Sequence, residues 1–115
     1  MNILQRIRAT LLYRYAVTKA NSAATATENR QYVMPTFDGS RKVVVMDRYN
    51  FRKYKQKGYI DERATVRDLE RECFYCTPYT NGTHGLSKEQ QKIKQQNFFN
   101  WYQAMLLLSY SSKKR

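Results

Sequence analysis

Acid is scarce in this sequence. Nine Asp and Glu stand against 21 Lys and Arg, leaving a formal charge of +12 on 115 residues. Such a field favours an anionic partner, whether nucleic acid, an anionic membrane surface or an acidic protein. Glycine is scarce too. Gly39, Gly58, Gly82 and Gly85 are the only four, and they form neither GxGxxG nor GxxxxGK, so a phosphate-cradling loop is excluded. Histidine occurs once, at His84, and cysteine twice, at Cys73 and Cys76. Zinc takes four ligands in a structural site, or three and a water in a catalytic one. Cys73, Cys76 and His84 would have to borrow a carboxylate or a ligand from another subunit, so no metal and no cofactor is expected. Long apolar runs are missing as well. The most apolar stretch, Ala104 to Leu108, is five residues long, and a spanning helix needs about 20.

The N-terminus lacks the layout of a signal peptide, because Arg6, Arg8 and Arg14 interrupt residues 3–17. Its composition is transit-peptide-like, with no acid before Glu28. Two cysteines without a secretory signal point to a reducing compartment and free thiols, so the expected location is cytoplasmic. The length fits one domain, residues 1–115, with a single core. Aromatic residues make up 14%, mostly ten tyrosines, whose apolar rings and polar tips suit half-buried positions and contact surfaces.

Apolar spacing predicts a helix over residues 1–20, with Leu4, Ile7, Leu11, Leu12 and Tyr15 on one face. That face is read as packed on the domain's own core, with membrane-surface or partner docking as the functional alternative. Asn21 and Ser22 are possible stops, although residues 23–28 can extend the helix. A hairpin pattern follows: residues 31–34, Pro35 as an edge or end mark, an Asp-Gly turn at Asp38 and Gly39, and a return strand over 42–46. Three consecutive valines, Val43 to Val45, imply cover on both faces of that strand.

Asp47 is an N-cap candidate for a helix over 48–57, and Gly58 suits its C-terminal end. Phe51 and Tyr54 share an inward face, while Arg48, Arg52 and Lys55 are expected as an outward stripe. Thr65 begins a short helix whose acids alternate with arginines, and residues 75–86 read as a loop. Ser87 and Gln90 form a capping box opening a last helix to about Tyr110, with residues 111–115 as a frayed basic tail. Its Ile93, Phe98, Trp101, Met105 and Leu108 lie near one face. The expected fold class is α+β: a β-hairpin packed with about four helices, in the order α-β-β-α-α-α.

No constellation here supports an enzyme. Cys73-x-x-Cys76 ends a helix where a thioredoxin-type motif starts one. Cys73 also completes an apolar stripe with Val66 and Leu69, as a buried structural cysteine does. The Asn81-Gly82-Thr83 sequon matters only outside the cytoplasm. The best functional candidate is the basic, aromatic stretch 41–60. Arg41, Lys42, Arg48, Arg52, Lys53, Lys55 and Lys57 would contact phosphates, and Tyr49 would stack a base or buttress the surface. The expected function is therefore non-enzymatic binding of nucleic acid through backbone phosphates, without strong sequence preference. A solvated helix face carries the same pattern, since charge runs alone are weak signals. The alternative is an assembly protein that docks on a partner, or on itself, through the Phe98, Trp101, Met105 and Leu108 face.

The segments LQRIRATLLYRYAV, YVMP, VVVMDRYNFRKYKQKGYI and ATVRDLERECFYCTPYTNGT resemble a group of small uncharacterised proteins of gut Bacteroidales and their mobile elements. The resemblance implies a bacterial or phage cytoplasmic setting and carries over no activity and no functional residue.

Overall fold

A computed structural model describes residues 1–36, 40–78 and 85–113, the last five by backbone course alone. Strand β1 (Tyr32–Pro35) is the centre of a three-stranded antiparallel sheet. On one side it pairs with β2 (Val43–Met46), Tyr32 opposite Met46 and Pro35 opposite Val43. On the other it pairs with β3 (Tyr75–Cys76), Tyr32 opposite Cys76 and Val33 opposite Tyr75. Pro35 thus sits beyond the β3 pairing, where its missing N–H costs no ladder bond. The hairpin matches the sequence reading. The third strand lies where a loop was expected, because two residues are too few to show a period. The Asp38-Gly39 turn falls outside the described residues.

Four helices complete an α+β fold: α1 (Ile3–Thr27), α2 (Arg48–Gln56), α3 (Val66–Glu72) and α4 (Lys88–Lys113). The pleat of the sheet sorts them into two layers. Val33, Val43, Val45 and Tyr75 point to one face and meet Ala9, Tyr13, Ala16 and Ala20 of α1 and Phe98 and Tyr102 of α4. Tyr32, Met34, Val44, Met46 and Cys76 point to the other and meet Phe51 of α2 and Leu69 of α3. The consecutive valines of β2 are covered on both faces by this arrangement.

Helix α1 runs through Asn21 and Ser22, and within its last turns the Thr25 and Thr27 hydroxyls donate to the Asn21 and Ala23 carbonyls. It starts at an Asn2–Gln5 capping box and stops at Glu28, which takes a left-handed φ of 60°. Its inward face differs from the expected one. Of the five residues expected to face the core, only Leu12 packs there; Leu4, Ile7, Leu11 and Tyr15 are 51–68% exposed. The buried stripe is Ala9, Tyr13, Ala16 and Ala20, at spacings of three and four. Three alanines let the helix approach the sheet closely, and the aromatic groups Phe74, Phe98 and Tyr102 fill the remaining volume.

Phe98 is the hub of that filling. It is fully buried, and the rings of Tyr13, Phe74, Phe99, Trp101 and Tyr102 lie 5.1–6.0 Å from it. The proposed docking face of α4 is therefore corrected: Phe98 is core, Trp101 and Met105 are half-buried, and Leu108 is exposed. Helix α4 opens as expected, with the Ser87 hydroxyl accepting from the Gln90 amide and the Gln90 side chain accepting from the Ser87 amide. It continues to Lys113, three residues beyond the expected end.

Candidate functional site

The two ends of α2 are firmly closed. The Asp47 carboxylate accepts from the Asn50 amide at 2.8 Å, and the Asn50 side chain accepts in turn from the Asp47 amide. At the other end the Tyr59 amide donates to the Tyr54 carbonyl and the Gly58 amide to the Lys55 carbonyl. These two bonds make a Schellman closure, and Gly58 supplies its positive φ of 82°. Tyr59 folds back so that its ring meets Tyr54 edge-on at 6.3 Å.

Phe51 is buried and Tyr54 half-buried, so α2 faces inward through the residues the spacing indicated. Rotation about the axis then turns Arg48, Tyr49, Arg52, Lys53 and Lys57 outward, and all five are exposed. Lys55 does not join them. It is half-buried, and its ammonium donates to the Ala64 carbonyl at 2.8 Å, fastening the connector after α2. The expected stripe of Arg48, Arg52 and Lys55 is corrected accordingly. Lysine has a stem long enough to reach such a carbonyl from the edge of the buried face. Tyr49 is half exposed, and the Arg48 guanidinium lies over its ring, 5.3 Å from the centroid.

Arg41 and Lys42 are exposed but stand at the far end of β2 from Asp47, roughly 15 Å away along the strand at ~3.3 Å per residue. The structure therefore spreads Arg48, Arg52, Lys53 and Lys57 over the exposed half of α2, about 180° of its circumference, and holds Arg41 and Lys42 apart along the chain.

Carboxylates near α2 are engaged elsewhere. Asp68 pairs with Arg71 at 2.6 Å, Glu72 lies 3.8 Å from Arg71, and Asp61 lies 4.0 Å from Arg63. Asp68 also accepts from the Thr65 amide, and that bond is the main reason its carboxyl is held below the usual range. Among the described residues, no ion pair involves Arg41, Lys42, Arg52, Lys53, Lys55 or Lys57.

A second polar cluster lies beneath the sheet. Arg30 is buried; its Nε donates to the Thr77 carbonyl at 2.8 Å, one terminal nitrogen lies 3.1 Å from the Cys76 sulfur, and the other lies 3.6 Å from Glu70. Cys73 and Cys76 are both buried free thiols. A hydrogen bond from the Cys73 thiol, with Arg30 beside it, brings Cys76 down to about 7 against the cost of burial. The same bond, then burial, pushes Cys73 up beyond the usual thiol range. Lys94 of α4 donates to the carbonyls of Glu70, Arg71 and Cys73, closing the C-terminus of α3. Neither Arg30 nor Lys94 carries a local sequence signal, because their partners are 21 to 47 residues away.

His84 and the sequon lie outside the described residues. Among those described, no three His, Cys, Asp or Glu side chains converge as metal ligands. A small apolar cavity of about 80 Å³ lies between the hairpin, α2 and α3, lined by Met34, Met46, Phe51, Ile60 and Leu69, with Asp68 and Glu72 at its edge. No described helix is long and apolar enough to cross a membrane. Compared with protein-family models, curated proteins and solved structures, the chain matches none of them.

Proposed function

We propose that this protein binds nucleic acid through backbone phosphates, using the outward face of α2 and making no strong choice of sequence. One observation carries the reading: Arg48, Arg52, Lys53 and Lys57 are exposed together on one rigidly capped helix. Ammonium and guanidinium groups at that spacing neutralise successive phosphates without touching base edges. Arg41 and Lys42 extend the contact along the strand, and Tyr49 with its stacked Arg48 offers a cationic aromatic edge. Lys55 contributes charge while holding the connector. The cavity and the buried thiols play no part, and no catalytic step is assigned.

Fluorescence anisotropy with labelled oligonucleotides of unrelated sequence tests this. Six phosphate contacts predict a fall in affinity of about a thousandfold between 50 and 200 mM salt. Arg52→Glu with Lys53→Glu removes binding while leaving the circular dichroism unchanged, since neither side chain is in the core. Salt-insensitive binding, or full affinity in the double variant, overturns the reading.

A further inference from the structure

The outward face of α1 holds five of the large apolar side chains that the fold leaves exposed among the described residues. Ile3, Ile7, Leu11 and Tyr15 recur every four residues, Leu4 stands beside them, and they are 77%, 51%, 60%, 68% and 67% exposed in that order. At ~100° per residue these five fall within an arc of about 120°. Arg14 falls inside the arc, about 20° from one edge, Arg8 and Lys19 lie just past the other, and Arg6 flanks it; all four are exposed. The helix has no acidic residue along its length. We infer that this face docks onto an anionic lipid surface, with its axis in the plane of the headgroups.

Charge selects this occupant. An apolar stripe bordered by cations enters the headgroup boundary, while long basic side chains reach up to the phosphates. Each cation near such a surface adds attraction to acidic lipids. A second copy of the chain would bring two sets of four cations together with no acid between them, which opposes a symmetric pair. The surface is distinct from the α2 face, because α1 and α2 cover opposite faces of the sheet. The α1 inference therefore stands independently of nucleic-acid binding. It also gives a role to the five large apolar side chains that α1 turns to solvent.

Co-sedimentation with vesicles of phosphatidylcholine, with and without phosphatidylserine, tests the inference on the whole chain. Binding is expected to the phosphatidylserine vesicles and to be much weaker to phosphatidylcholine alone. Ile7→Gln with Leu11→Gln keeps helix propensity and should lower partitioning by at least about tenfold, with unchanged circular dichroism. Arg52→Glu with Lys53→Glu should leave most of the partitioning in place. No binding to phosphatidylserine vesicles overturns the inference, as does undiminished binding in the glutamine variant or binding lost through the α2 reversal. A concentration-dependent dimer abolished by the glutamine pair would assign the face to a second copy and overturn it equally.

Discussion

Arg30, Cys73 and Cys76 form the cluster in which surroundings change side-chain chemistry most plainly. Burying a guanidinium is costly unless its donors are met, and here the Thr77 carbonyl, the Cys76 sulfur and the Glu70 carboxylate surround that of Arg30. Accepting a hydrogen bond from the Cys73 thiol, and with the Arg30 guanidinium beside it, Cys76 ionises near neutral pH, whereas Cys73 keeps its proton. The sign of the linkage follows. With its native value lowered from 9.0 to about 7, Cys76 contributes stability that is complete above 9 and lost as pH falls through 7. Cys73 acts oppositely: its proton is retained in the native state while the unfolded chain ionises above 9. Denaturant unfolding at a series of pH values should show stability rising between pH 7 and 9, and the rise should vanish in Cys76→Ser. Thiolate absorbance should titrate with a midpoint near 7 and move upward in Arg30→Met. None of this was legible from the motif. As a string, Cys73-x-x-Cys76 indicates only a buried structural cysteine and an incomplete metal-ligand set. The guanidinium beside Cys76 comes from just before the neighbouring strand, on the same face of the sheet and 46 residues away in the chain.

Four helix ends were legible, although those of α1 were not. Asp47, Gly58, Thr65 and Ser87 were each assigned from residue type and spacing, and each marks an end in the structure. The physical reason is locality: a cap satisfies amides within three residues of itself. Helix faces were legible only where the buried residues are large. Phe51 in α2 announces its inward side, whereas the alanines of α1 do not. Large apolar residues on the opposite side of α1 drew the expected core face to the wrong side. Gly58 offers a direct check at this scale. A Cβ there would meet nothing within 4 Å, so the cost of Gly58→Ala is purely conformational at φ 82°. The substitution should destabilise by about 1 kcal/mol, read from chemical denaturation, with Asn in its place costing less.

Across the whole molecule, the sheet separates two layers that carry different surfaces, a polar cationic one on α2 and an apolar one edged with cations on α1. The fold class could be read from the alternation of strand and helix patterns, but the central place of β1 could not. That position depends on β3, two residues held by a helix and a strand far along the chain. The α1 layer is closed by Phe98, which joins α1, Phe74 and the rest of α4 in one aromatic cluster. Phe98→Ala should therefore cost about 3–5 kcal/mol, a large part of the total for a domain this size. Leu107→Ala, on the exposed side of the same helix, should stay within about 0.5 kcal/mol. Equilibrium unfolding of the two variants checks the contrast. The placement of Phe98 also sets a timetable for biosynthesis. The first helix leaves the ribosome long before the ring that seats it is made. Until then only the sheet and Phe74 can cover the interior side of that helix, and its aromatic seal waits on a residue not yet translated.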